Sequence, residues 1–418
     1  MRALDVTVPG DKSIAHRALI LGALAGGESV IDNVPAGQDV LATEACLRAL
    51  GVPVDRADGR VRIVGVGVGG LQTPAAPLDC RNSGTTMRLL SGVLAGSRVR
   101  AVLTGDASLQ RRPMARVVDP LRAMGARITS RDGMPPLLIE GGRLTGLRHR
   151  LSIPSAQVKS ALLLAGLNAE GLTSVEEPVP TRDHTERLLR AMGAPISADE
   201  RGISLAPLRA PLRALELAIP GDLSSAAFWL AAAAMRPGWS VRVSGVGLNP
   251  TRTGFLRILG GMGAGVRIDE RSDMTVEPMG DVTIIGGELR PLHIGAEDVA
   301  LAIDEIPILM LVATQADGTS SIDGAAELRV KESDRLRAMA DGLRRLGANV
   351  EEFPAGVRIT GPTVLRPAVV DAYRDHRVAM ALAIAGLLAD GQAEIIGSES
   401  ADVSYPGFFQ QLAVVARG

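Results

Sequence analysis

A six-residue phrase, Leu-Arg-x-(Leu or Met)-Gly-(Ala or Val), recurs along this 418-residue chain and restricts its possible folds more than any other feature. It occupies residues 47–52, 121–126, 189–194 and 343–348, with a looser copy at 259–264. Self-similarity at a steady spacing means that one supersecondary unit is copied and stacked; about 70 residues separate the copies, so roughly six fit the chain. Each phrase reads as a last helical turn, a glycine in the left-handed cap and entry into a strand. Alternating segments follow: Val61-Arg62-Ile63-Val64, Ala126-Arg127-Ile128-Thr129, Val266-Arg267-Ile268 and Val357-Arg358-Ile359-Thr360. Six βα-type modules predict two pseudo-symmetric domains of three.

A second echo marks the border. Val8-Pro9-Gly10-Asp11-Lys12-Ser13 is matched in mid-chain by Ile219-Pro220-Gly221-Asp222-Leu223-Ser224. If both are one structural joint, the chain crosses between domains near residues 10 and 220, and two crossings make a hinge. The expected domains are 11–219, and 1–10 plus 220–418. Residues 161–167, 226–235, 306–313 and 380–388 are apolar or small all round, yet too short to span a bilayer. Such helices belong inside a domain. The expected fold is therefore α/β with buried helices and outer sheets, an inside-out α/β barrel, rather than a doubly wound sheet.

Composition removes several functions. Hydrophobic residues at 46% and charged residues at 22% exclude a disordered chain. A net charge of −1 offers no basic field for nucleic acid or an anionic membrane. Two cysteines and five histidines, none at metal-ligand spacing, argue against a disulfide framework and against zinc. The start of the chain has no apolar signal core, and the cytoplasm is expected. Of the 45 basic residues only Lys12, Lys159 and Lys331 are lysines. In a chain that uses arginine nearly everywhere, these three are candidates for chemistry needing a compact, titratable ammonium.

Five helix starts carry polar and cationic residues: Lys12-Ser13-Ile14-Ala15-His16-Arg17, Asn82-Ser83-Gly84-Thr85-Thr86-Met87-Arg88, Pro154-Ser155-Ala156-Gln157-Val158-Lys159-Ser160, Arg329-Val330-Lys331-Glu332-Ser333-Asp334-Arg335 and Arg374-Asp375-His376-Arg377. Free N–H groups and the positive dipole end attract phosphates and carboxylates there. One such start is ordinary capping. Five, with Arg112 adding a cation from a loop, indicate a concentrated anion site in a nearly neutral protein.

Four motifs, Pro9-Gly10-Asp11-Lys12-Ser13-x-x-His16-Arg17 and those at 82–88, 329–336 and 375–377, in this order and across essentially the whole chain, resemble the 3-phosphoshikimate 1-carboxyvinyltransferase family of enolpyruvyl transferases. The resemblance implies two domains of three βαβαββ units each, closing over shikimate 3-phosphate and phosphoenolpyruvate, in a monomer without metal or cofactor. It implies that Lys12, Ser13, Arg17, Ser155, Ala156, Gln157, Arg182, Asp304 and Lys331 hold shikimate 3-phosphate. Lys12, Gly84, Arg112, Gln157, Arg335 and Arg377 would surround phosphoenolpyruvate. Asp304 and Glu332, with Lys12, match the catalytic positions: Asp304 as base for the attacking hydroxyl, Glu332 with Lys12 for protonating the enol carbon.

The chain departs from the family pattern in places. Ala156 stands where many members have serine, and no lysine precedes the Tyr405-Pro406 pair. Gly84 matches a position where a methyl often accompanies glyphosate tolerance; glycine is expected to leave that space open, giving inhibition competitive with phosphoenolpyruvate. The related transferases acting on UDP-N-acetylglucosamine usually carry Lys-Asn at Lys12-Ser13 and commonly a cysteine within 105–113, and neither occurs here. A non-catalytic scaffold would be expected to have lost Lys12, Asp304 or Glu332, and all three are present.

Overall fold

The computed structural model describes residues 2–200, 202–271, 276–389 and 393–417. The fold is mixed α/β, and the chain separates into two compact units, Gly10–Ile219 and Met1–Pro9 with Pro220–Gly418.

In the first unit the order is helix α1 (Lys12–Ala23), strand Ala25–Asp32, helix α2 (Gln38–Ala49) and strands Val54–Ala57 and Arg60–Val66. The second repeat holds Leu78–Asp79, α3 (Gly84–Ala95), Arg100–Thr104, α4 (Ala115–Ala123), Arg127–Arg131 and Met134–Glu140. The third holds Arg148–Arg150, α5 (Ala156–Gly166), Thr173–Glu176, α6 (His184–Ala191), Ile196–Asp199 and Gly202–Leu205. The second and third of these sheets each begin with a parallel pair across a helix and end in an antiparallel hairpin. The first sheet lacks a leading strand of its own. Leu212–Arg213 and Glu216–Ala218, from the far end of the unit, pair parallel with Ala25–Asp32 instead.

The second unit repeats the plan. Arg2–Val6 pairs parallel with Trp239–Gly247, with α7 (Leu223–Ala234) leading and α8 (Gly254–Gly261) following. After the short α9 (Ala296–Leu301) come α10 (Ile306–Ala313) and α11 (Arg335–Arg345), within the sheet of His293–Ile294, Gly318–Ile322, Gly356–Gly361 and Asn349–Phe353. The last repeat differs from the expected βαβαββ. Among the described residues it has only Val369–Asp371 and Glu394–Ile396, flanking α12 (His376–Leu388). Helix α13 (Phe408–Arg417) follows, and its Phe408 ring meets Phe228 and Tyr405 edge to face and Trp229 at a tilt, so aromatic packing closes this end of the core.

Local chemistry explains the regularity. Gly51, Gly125, Gly193, Gly263 and Gly347 all have φ between +84° and +104°. After each, the next amide bonds back to the leucine that opens the phrase, for example Val52 N to Leu47 O at 3.1 Å and Ala348 N to Leu343 O at 2.9 Å. This six-to-one closure ends the helix and aims the chain into a strand. Helices α1, α3, α5, α7, α10 and α12 are buried nearly throughout. Their backbones approach closely: a Cβ on Gly92 of α3 would lie 2.1 Å from Ala161 O of α5. Among the described residues no helix is long and apolar enough to cross a membrane.

Candidate active site

The expected site residues fall into two groups, one in each unit. In the first, Asp11 caps α1 by accepting from Ser13 N and Ile14 N at 2.7 and 3.0 Å, so Lys12 and Ser13 stand on the first turn. Lys12 Nζ donates to Asp39 Oδ2 at 3.0 Å and keeps 17% of its side chain exposed. Arg17, one turn on and buried, donates to Ser13 O, Thr185 Oγ1 and Ser160 Oγ at 2.8, 2.8 and 2.9 Å. Ser160 Oγ in turn donates to Ala156 O at 2.6 Å, tying α1 to the start of α5. Arg182 NH1 reaches Ser13 Oγ at 3.4 Å, and Ser155 caps α5 through Val158 N.

A second polar layer links α5 to α3. Gln157 accepts from Arg88 NH1 at 2.9 Å and donates to Thr85 Oγ1 at 2.8 Å. Arg112 is held by Asn82, donating to its carbonyl at 3.2 Å and also to its side-chain oxygen, and by Ser108 Oγ at 3.2 Å. The space above Gly84 is not open, contrary to the sequence expectation: a Cβ there would lie 2.6 Å from Arg88 NH1 and 3.4 Å from Arg112 NH1. His16 behind Lys12 is buried; burial, reinforced by Lys12 and Arg17 against the pull of Asp39, pushes its pKa down to about 3. It is therefore neutral near pH 7, sharing a hydrogen bond with Thr43 Oγ1 at 2.7 Å.

In the second unit the group is denser. Arg335, 2% exposed, meets three carboxylates: Asp375 at 2.8 Å, Glu332 at 2.5 Å and Asp304 at 3.4 Å. Burial works against its charge, but these carboxylates outweigh it and raise the guanidinium pKa. Arg377 Nε also stands 3.4 Å from Asp304 Oδ1, and its NH1 donates to the Asp304 carbonyl at 3.1 Å. Asp375 both receives Arg335 and caps α12 through Arg377 N at 2.9 Å. Lys331 lies beside them, 4.0 Å from Glu327. Burial lowers its pKa, Asp304 and Glu327 pull it back, and Arg335 lowers it further. An ammonium so placed gives up its proton more readily than a free lysine.

Lys159 corrects the lysine argument. Its side chain is 1% exposed and ion-paired with Glu177 at 2.8 Å and Glu186 at 2.7 Å, which makes it an internal tie between α5, α6 and the segment that leads into α6. Sequence reasoning passed over Asp39, the Lys12 partner, and Ser160 and Thr185, the Arg17 partners. Ser160 had a signal, as a polar residue beside the apolar run 161–167; Thr185, within a charged helix start, and Asp39 had none. Among the described residues no cluster of His, Cys, Asp and Glu could hold a metal ion.

Comparison with known proteins first defines the class. The fold is that of the enolpyruvyl transferases: the chain matches NikO of Streptomyces tendae with a TM-score of 0.79 over 98% of this chain and 94% of that one, at 20% identity, a likeness of fold alone. It matches EPSP synthase of Acinetobacter baumannii with a TM-score of 0.86 at 44% identity, over 99% and 96%. The model of the EPSP synthase (3-phosphoshikimate 1-carboxyvinyltransferase) family matches residues 3–412, and the chain belongs to that family. A 3-phosphoshikimate 1-carboxyvinyltransferase of Gloeobacter violaceus is 52% identical over 98% of this chain and 96% of its own length. That of Geobacillus kaustophilus is 49% identical over 97% and 96%.

Proposed function

We propose that this chain transfers the enolpyruvyl group of phosphoenolpyruvate to the 5-hydroxyl of shikimate 3-phosphate, releasing phosphate. Family membership supplies the reaction. The observation that carries it to particular residues is the placing of Asp304 between Arg335 and Arg377, with Glu332 on the same guanidinium. By the same reading each unit is an inside-out barrel, and the protein works as a cytoplasmic monomer without metal or cofactor.

The substrates bring two phosphates and two carboxylates to one enzyme, and clustered guanidinium groups and helix starts offset that repulsion. In the first unit Lys12, Ser13, Arg17, Ser155, Ala156, Gln157 and Arg182 bind shikimate 3-phosphate, with Asp304 and Lys331 of the second unit also assigned to it. Lys12, Gly84, Arg112 and Gln157 of the first unit, and Arg335 and Arg377 of the second, bind phosphoenolpyruvate. Asp304 takes the proton of the attacking hydroxyl. Glu332, with Lys12, protonates the enol carbon and makes its neighbour electrophilic. Addition gives a tetrahedral phospho-ketal; loss of phosphate and of a methyl proton restores the double bond.

Phosphate release measured with both substrates, with each alone, and with UDP-N-acetylglucosamine replacing shikimate 3-phosphate tests the assignment. Release is expected with both substrates only. Release without shikimate 3-phosphate, or only with the sugar nucleotide, overturns it.

Two substitutions probe the first unit. Lys12→Arg preserves charge but replaces a compact proton donor by a planar, permanently charged group; we expect kcat to fall about 10²-fold, the lower end for general acid–base catalysis. A rate within threefold of the parent would remove Lys12 from proton transfer. A Cβ at position 84 would lie 2.6 Å from Arg88 NH1, so Gly84→Ala is expected to shift that guanidinium from Gln157. Part of a charged hydrogen bond worth about 1.5–3 kcal/mol is lost, raising KM for phosphoenolpyruvate about three- to tenfold and weakening competitive inhibition by glyphosate. Unchanged KM and inhibition would contradict the steric reading.

A further inference from the structure

The residue after Asp304 is held by a different network. Glu305 is 1% exposed; its carboxylate accepts from Ser224 Oγ and stands 3.9 Å from Arg252. Arg252 donates to Ser224 Oγ at 2.7 Å and to Asp222 Oδ1 at 3.2 Å. Asp222 in turn caps α7 through Ser224 N at 3.0 Å. All four residues are 1–4% exposed. None appears in the proposed chemistry.

We infer that Glu305, Ser224 and Arg252 form an internal anchor that positions Asp304 for the reaction. Asp304 occupies a tight turn, closed by Glu305 N donating to Ala302 O at 2.9 Å, immediately before α10. On one side its carboxylate is met by Arg335 and Arg377. On the other, Glu305 fixes the same stretch of backbone to the start of α7. The cations thus set the direction of the Asp304 side chain, and Glu305 sets the place from which it reaches. Buried ion networks add little net stability compared with apolar packing, and their better-attested use is to impose one geometry.

The sequence echo pairs the anchor with a counterpart in the first unit. Asp11, Lys12, Ser13 and Arg17 of α1 correspond to Asp222, Leu223, Ser224 and Phe228 of α7. The capping Asp and the hydroxyl persist, while both cations have become apolar. In the first unit the hydroxyl accepts from Arg182; in the second it donates to Glu305. The same helix start that is assigned to anion binding in the first unit thus serves as an internal fastening in the second.

The inference rests on the proposed role of Asp304, and the test separates the two. Glu305→Ala and Glu305→Gln are made in the full-length parent and in the Asp304→Ala background. kcat and KM are measured with both substrates, and amide hydrogen exchange over residues 302–306 without substrate. Misplacement of a catalytic group by about 1 Å can cost 10²-fold; we expect Glu305→Ala to lower kcat about thirtyfold, and Glu305→Gln, which keeps an acceptor for Ser224, about threefold. Each KM should stay within about threefold, and the residual rate of Asp304→Ala should fall by less than about twofold, because coupled residues are non-additive. Exchange at 302–306 should quicken at least about tenfold in Glu305→Ala, a local opening. Equal fold-losses in both backgrounds, or kcat and exchange both unchanged, would overturn the anchor. Should Glu305→Ala not fold, the Glu305→Gln pair decides by the same comparison. A parent without turnover would sink the functional reading, and the exchange comparison would still decide the anchor.

Discussion

Asp304→Ala is expected to lower kcat by about 10²–10⁴-fold, the range for removal of a positioned general base, without unfolding the chain. The side chain is 17% exposed, so its loss opens no deep cavity. Arg335 keeps Asp375 and Glu332, and Arg377 keeps its bond to the carbonyl of residue 304. Asp304→Asn separates charge from shape. The amide can fill the same place but cannot take a proton, so it should be nearly as slow as alanine. Single-turnover rates together with thermal unfolding check both statements. A kcat within tenfold of the parent for either variant, at unchanged melting temperature, would move the base elsewhere.

Arg335→Met is expected to be the most damaging change to stability in the second unit. Asp375 is fully buried, and it shares that guanidinium with Glu332 and Asp304. Removing the cation from such a group costs about 3–5 kcal/mol, because buried carboxylates lose their compensating charge. At about 2–4 °C per kcal/mol for a unit of this size, the transition should fall by roughly 10 °C. Calorimetry should show the loss confined to the unit that holds Arg335, with activity abolished even at temperatures where the protein remains folded. A melting temperature within about 2 °C of the parent would mean that Arg335 contributes binding alone.

Much of this was legible because the signals are local. A left-handed glycine after a leucine-rich turn ends a helix wherever it occurs, and five such glycines revealed the repeats. A helix lacking a polar face belongs in a core, and α5, α7, α10 and α12 are buried. What escaped depends on partners distant in sequence. The two-residue strand Leu212–Arg213 has no periodicity to detect, yet it completes a sheet begun by Ala25–Asp32. Lys159 looked like the other two lysines until Glu177 and Glu186 were placed around it. Gly84 pointed to an open space, and only the path of the Arg88 side chain shows that it is filled. Neighbouring acids could be seen at Asp304 and Glu305; that one faces two arginines and the other is fastened to α7 is a property of packing.

Phosphoenolpyruvate labelled with heavy oxygen at the bridge between its enol carbon and its phosphorus provides the most direct test of the central chemistry. Attack of the 5-hydroxyl on that carbon and departure of phosphate break the carbon–oxygen bond. The account predicts that all the label appears in inorganic phosphate, and only when shikimate 3-phosphate is present. Label retained in an organic product, or phosphate formed by cleavage at phosphorus, would contradict it.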